Sequence, residues 1–218
     1  MRAPEGTQVN NANRLPKLAA IAVLAVAIIG SAFVLSANAQ PSGFHAAAGV
    51  AFRDAQAVSL ATAVTVDGLI ITQRDLAFAT SLARLNNAGS PIQVAADAKS
   101  VLERLISRAA LEAEAARRGL RPSDSAVDAY VLDMRGRSAQ FNTANSEITA
   151  FADSAGLSVD QYFATGGARA GARGALAIQN LRNEVLRGVD TAGHAAAWDV
   201  FATRVRASAH VVIDPAFR

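Results

Sequence analysis

The chain has 218 residues, with 21 Lys and Arg against 18 Asp and Glu, a formal charge of +3. With the first 39 residues set aside the balance is 18 against 17, so no basic surface for nucleic acid is implied. Cysteine is absent, which excludes disulfides, thiol catalysis and cysteine-ligated zinc.

Residues 1–17, with Asn10, Asn11, Asn13 and Pro16, read as a disordered cytoplasmic tail. Residues 18–39 carry no charge and follow Arg14 and Lys17. At ~1.5 Å rise per residue, about 20 such residues span a ~30 Å hydrocarbon core. The positive flank predicts an N-terminus in the cytoplasm and everything after Gln40 outside. Ala37-Asn38-Ala39 is also a small-x-small site of the kind that ends a signal peptide. A retained anchor and a leader cleaved after Ala39 both fit, and both export the remainder. Residues 40–60 mix Ala, Gly and Ser with little periodicity and read as a linker; residues 61–218 read as the domain.

Val64, Thr65 and Val66, then Asp67-Gly68, then Leu69, Ile70 and Ile71 predict a strand and a tight turn. Thr72 caps a helix running to about Asn86, with Asp75 at its positive end. A long helix from about Ile92 to Arg118 follows, its stripe made by Leu102, Leu105, Ile106, Ala109, Ala113 and Ala116. Gly119 ends it, and Pro122 and Ser123 set up the next helix, to about Gln140, carrying Val127, Tyr130, Val131 and Met134. A short helix with Ile148 and Phe151 closes at Gly156. Ser158 caps another that extends through Val185 with a weak or kinked stretch at 166–174, where interior glycines each cost about 1 kcal/mol against Ala. His194 to about Ser208 forms the last helix, and residues 210–214 a closing strand. The strand at Val64–Val66 is expected to pair with that at Val211–Ile213, bringing the ends of the domain together.

Several of these pieces, in this order, resemble the N-terminal domain of the SurA/PrsA-type chaperones. Val64-Thr65-Val66-Asp67-Gly68 with Ile71-Thr72 and Asp75-Leu76 is similar to the family's opening, with Asp67 in place of the usual Asn. The helix ending at Arg117-Arg118-Gly119-Leu120 and its turn, the start Gly156-Leu157-Ser158, and the closing Trp198, Phe201, Arg204 and Arg206 resemble the family's later elements. The match covers roughly residues 63–214. It implies a mainly α domain closed by a short two-stranded sheet from its N- and C-terminal strands. Larger members carry a parvulin prolyl-isomerase domain between the last two helices; here Val185 and His194 are joined by a short connection that leaves no room for one.

No residue pattern supplies enzyme chemistry. His45, His194 and His210 lie in the linker, at a helix start and in a strand, without a carboxylate or second histidine at ligand spacing. Glu112, four after Arg108, reads as a solvated ion pair, and Asp124 as a first-turn acid. The run Gly166–Gly174 lacks the Gly-Lys-Ser/Thr ending of a phosphate loop. No catalytic, cofactor or metal residues are therefore assigned. Phe141, Phe151, Tyr162 and Phe163 are read first as core and, where exposed, as client contacts. The resemblance implies a non-catalytic holdase for unfolded exported proteins, and the uncharged segment at 18–39 adds a membrane tether. The alternative is an assembly subunit gripping one dedicated envelope partner.

Overall fold

The computed structural model describes residues 43–89, 93–140 and 142–217. The tail at 1–17, the apolar segment at 18–39 and Phe141 lie outside the described residues. No described helix is long and apolar enough to cross a membrane.

The first described element corrects the linker reading. Residues Phe44–Ala55 form a helix, α1, that buries Phe44, Ala48, Gly49 and Ala55. The apolar repeat Phe44, Ala48, Phe52, Ala55 has helical spacing. Its alanines give it so little contrast that composition alone reads as a tether.

β1 (Thr62–Val66) and β2 (Leu69–Thr72) follow as an antiparallel hairpin. Asp67 and Gly68 join them with φ of 46° and 86°; two positive φ values give the turn whose twist matches the strands. β3 (Val211–Ile213) pairs with the other edge of β1, Val64 opposite Ile213 and Val66 opposite Val211. The expected closure is thus present, in a sheet of three strands ordered β2-β1-β3 rather than two. Nor do the strands end the chain: α1 precedes β1, and a 3-10 turn at Pro215–Phe217 follows β3. Asp67 stands where the family's Asn is usual, and its carboxylate accepts from the His210 N–H at 2.8 Å. The turn is thereby tied to the incoming third strand.

Thr72 opens α2 (Gln73–Gly89) by a reciprocal cap. Its hydroxyl accepts from the Asp75 N–H at 3.1 Å, and Asp75 Oδ2 accepts from the Thr72 N–H at 2.9 Å and hydroxyl at 2.7 Å. Thr72→Ala is expected to cost about 0.5–2 kcal/mol, read from urea melts; no loss would mean the helix start is held by packing alone. Burial raises the Asp75 carboxyl above its ordinary range, opposed by the Thr72 hydrogen bonds and the Arg74 charge. A carboxyl with a higher pKa folded than unfolded binds its proton more tightly in the folded state. Its contribution to stability therefore falls as pH rises from about 4 through the folded value. Asp75→Asn should flatten that part of the stability–pH curve, and an unchanged slope would assign it to other groups.

α3 (Ala98–Arg117) starts later than expected, because Asp97 caps it by accepting from the Ser100 N–H at 2.9 Å. The inner face of the sheet (Val64, Val66, Ile71) packs on Leu76, Ala79 and Ala83 of α2 and on Leu102, Leu105, Ile106 and Ala109 of α3. Val205 of α8 (His194–Ser208) completes that cluster. Farther along α3 the buried positions are Glu114 and Ala115, in place of the expected Ala113 and Ala116. There Ala115 turns toward Ala177 and Leu181 of α7 (Gly166–Val185), a second neighbour that shifts the buried stripe.

α4 (Asp124–Gln140), α5 (Asn142–Ala155) and α6 (Val159–Ala164) follow, and Phe151, Ala155, Tyr162 and Phe163 from the last two enter a second apolar cluster. The expected single helix from Ser158 to Val185 is two helices, α6 and α7, because Thr165 is extended (ψ 139°) and caps the second. From Gly166 onward the glycine run is part of one uninterrupted helix. Gly167, Gly171 and Gly174 are buried, and a Cβ on Gly174 would meet the Glu112 carboxylate at 2.5 Å. The glycines thus allow α7 to lie close against α3. That same contact overturns the solvated Arg108–Glu112 pair. The two are 2.8 Å apart with side chains only 16% and 11% exposed, and burial raises the Glu112 carboxyl against the pull of Arg108.

Candidate functional site

The apolar side chains that could meet a partner fall into two sets. Those standing in solvent are scattered: Val50 on α1, Leu60 and Val94 in connections, Leu132 on α4, Val200 on α8, and Ile70 and Val212 on the sheet. Ile70 and Val212 both lie opposite Thr65, so they share the outer face of the sheet. The second set is an aromatic seam beneath α1. Phe52 of α1 packs edge-on against Phe78 of α2, centroids 5.5 Å apart, and tilts against Phe151 of α5 at 5.8 Å. Phe151 meets Tyr162 of α6 at 5.3 Å, and Tyr162 meets Phe163 at 5.2 Å. The aromatic edges and faces are complementary in charge distribution, which favours such tilted pairs. Four helices contribute to one continuous row.

Phe151, Tyr162 and Phe163 are therefore brought together, each at most 7% exposed. Burial pushes the Tyr162 hydroxyl well above its ordinary value. Phe141 lies outside the described residues. Sequence reasoning missed Phe44, Phe52 and Phe78; the helical spacing of Phe44, Ala48 and Phe52 was the signal for the helix itself, while nothing local tied Phe78 to it. The seam belongs to a cluster separate from the one around the sheet. It holds Phe44, Ala48 and Ala55 of α1, Phe78 and Leu82 of α2, Phe151 and Ala155 of α5, Tyr162, Phe163 and Ala168.

α1 seats against α5 with almost no clearance. A Cβ on Gly49 would lie 2.2 Å from the Phe151 carbonyl oxygen and 2.9 Å from Ser154 Cβ. At the start of the helix His45 Nε2 is 3.5 Å from Glu147 Oε2 of α5. Burial lowers the His45 pKa, and the Glu147 charge opposes that shift. This replaces the linker histidine of the sequence reading with a half-buried helical one.

Several polar groups elsewhere join helices to one another. Glu114 is buried and is held by Arg117 and by Arg118 Nε at 2.6 Å, while Arg118 Nη1 reaches Glu184 Oε1 at 3.0 Å. The Arg118 guanidinium lies 5.0 Å from the Phe201 ring centroid, and Arg182 is 5.8 Å from that of Trp198. These contacts bind α8 to α3 and α7. Arg169 pairs with Asp128 and Arg173 with Asp124, linking α7 to α4. All four side chains are substantially exposed, so each pair contributes little. Arg173→Ala is expected to move the melting midpoint by no more than a surface substitution does, about 0.5 kcal/mol; a larger loss would show a cooperative ladder. Among the described residues no group of three or more His, Asp or Glu could hold a metal ion. His194 Nε2 lies 3.0 Å from the Val189 carbonyl at a helix start, and His210 is exposed beside β3.

The class that this architecture defines is a helical module whose first hairpin and last strand meet in one small sheet. A family model described as the SurA-like N-terminal domain matches residues 11–165, and the chain belongs to that family. No parvulin domain was found with it. No curated protein and no solved structure matches the chain. Residues beyond the matched stretch complete the same fold, since β3 pairs with β1 and Val205 enters the main core.

Proposed function

We propose that this protein is a membrane-tethered holdase outside the cytoplasm, binding unfolded or partly folded exported polypeptides through apolar surface. The observation that carries the reading is membership of the SurA-like N-terminal domain family over residues 11–165. Residues 18–39 would supply the tether, with their N-terminal flank in the cytoplasm; cleavage after Ala39 would release the same domain instead. Fractionation with N-terminal sequencing of the mature protein separates the two. Client contacts of this kind are weak, apolar and tolerant of sequence, so no single residue is catalytic. Phe151, Tyr162 and Phe163 are buried in the closed fold and become candidates for them only where the aromatic seam opens.

The full-length chain is expected to slow aggregation of several unrelated, chemically unfolded proteins near stoichiometric ratios. Raising salt should weaken this little, because apolar contacts are not screened and the exported part is near neutral. Proline isomerisation in a test peptide should not be accelerated, since the ~18–20 kcal/mol barrier needs a shaped site to lower it. Enzyme-like turnover in that assay would refute the non-catalytic reading. Protection of none of the unrelated proteins would favour an assembly subunit with one dedicated envelope partner.

A further inference from the structure

We infer that α1 occupies the client groove of its own domain, and that clients bind where it lies by replacing it. This rests on the holdase reading above and names the site. The groove walls are Phe78 and Leu82 of α2, Phe151 and Ala155 of α5, and, at its far end, Tyr162. The occupant presents Phe44, Ala48, Phe52 and Ala55 on one face. An amphipathic helix laid into an apolar groove is a recurrent mode of peptide recognition, and here the chain carries its own ligand.

Three observations make α1 separable. The cluster around the sheet contains no α1 residue, so that cluster keeps its packing when α1 leaves and only the aromatic cluster, where α1 lies broadly against α5, is opened. α1 itself has 12 residues, no side-chain cap at Gly43 and no acid in its first turn; a helix so short is marginal without its groove. The segment just after it is pinned independently. Arg74 donates to the Gln56 carbonyl at 2.8 Å, to the Gln56 side chain at 3.0 Å and to the Val58 carbonyl at 3.2 Å. A hinge is thereby placed at the end of α1, and β1 stays in register while the helix swings away.

The chemistry of the groove states what replaces α1. A client segment would be apolar and able to form a helix, with aromatic and small residues four apart. Opposite the Phe151 carbonyl it needs a glycine or a similarly small residue, because Gly49 leaves no space there. Signal-like charge is not required, since the walls are apolar. The free groove is exposed only in the fraction of molecules with α1 displaced, and apparent affinity scales with that fraction.

The test uses the full-length chain in detergent and, as probe, a labelled peptide copying residues 43–56. Gly49→Leu drives a side chain into the α5 backbone and should displace α1 without altering the groove walls. Peptide binding should tighten by about tenfold or more as the open fraction rises, and unfolded clients should be held at lower protein ratios. Because the chain has no cysteine, His45→Cys with Glu147→Cys can be joined by a short bis-maleimide to lock α1 in place. The locked chain should bind neither peptide nor client, and the same variant left unjoined should bind both. Trp198, stacked on Phe201 away from α1, reports by its fluorescence that the body remains folded in every variant. A locked chain that holds clients as well as the unlocked one overturns the groove assignment and leaves the holdase reading standing. Peptide binding to Gly49→Leu but not to the locked chain, with no client held by any form, supports the groove and refutes the holdase.

Discussion

Leu105→Ala is expected to lower the unfolding free energy by about 2–5 kcal/mol, the range for a large-to-small change in a packed core. Leu105 is 3% exposed and belongs to the cluster that joins α3 to the sheet, α2 and Val205. Its neighbours are held by two strands and three helices, so the surroundings have little freedom to collapse into the space. The control is Leu132→Ala. That side chain is 68% exposed on α4, and its loss should stay within about 0.5 kcal/mol. Urea denaturation followed by far-ultraviolet circular dichroism distinguishes the two. Equal effects would mean that the stripe of α3 is not the centre of the fold.

Gly49→Ala tests the second apolar cluster. A single methyl group there meets a backbone oxygen at 2.2 Å, and a carbonyl within a helix cannot rotate aside as a side chain can. The helices must separate, and overpacking of this kind costs about 1–3 kcal/mol or more. The loss should be local. Amide exchange in α1 is expected to rise sharply while amides of α3 keep their protection, because the sheet-side cluster contains no part of α1. Unchanged protection of α1 would show that the contact relaxes cheaply. A uniform loss across the chain would show that the two clusters unfold as one. Gly174→Ala offers a contrast. Its Cβ would meet the end of the Glu112 side chain, which can shift, although doing so disturbs the buried pair with Arg108.

The local signals in this chain were strong where one residue type has one physical use. Asp67-Gly68 could only be a hairpin turn, Thr72 with Asp75 a helix start, and Gly119, at φ 71°, a helix end. The pairing of Val64–Val66 with Val211–Ile213 was legible for a similar reason. Each segment is β-branched and too short to stand alone. The alanine-rich stretches were legible only in part. Alanine is apolar, small and common on both faces of a helix, so it carries little pattern. That is why α1 read as a tether, and why the buried side of α3 drifted from Ala113 and Ala116 to Glu114 and Ala115.

The aromatic residues mark the same boundary. Phe151, Tyr162 and Phe163 could be named as important from their type and spacing, and as core from the shortness of their helices. Nothing local could say that Phe52 and Phe78 join them, because that row crosses four helices separated in sequence. The glycines of α7 are similar. Read locally, each weakens a helix; in the fold, the missing side chain at Gly174 is the space that Glu112 fills. The sequence by itself determined the Asp67-Gly68 turn and the caps at Thr72 and Ser158, which depend on a residue and its near neighbours, and it marked the two end strands as short β-branched segments in need of a partner. Only the tertiary structure decided which faces were covered, that the presumed linker was a helix, and that it lies over the aromatic seam. Those outcomes depend on the distance between surfaces far apart in the chain, and small residues act there by the room they leave.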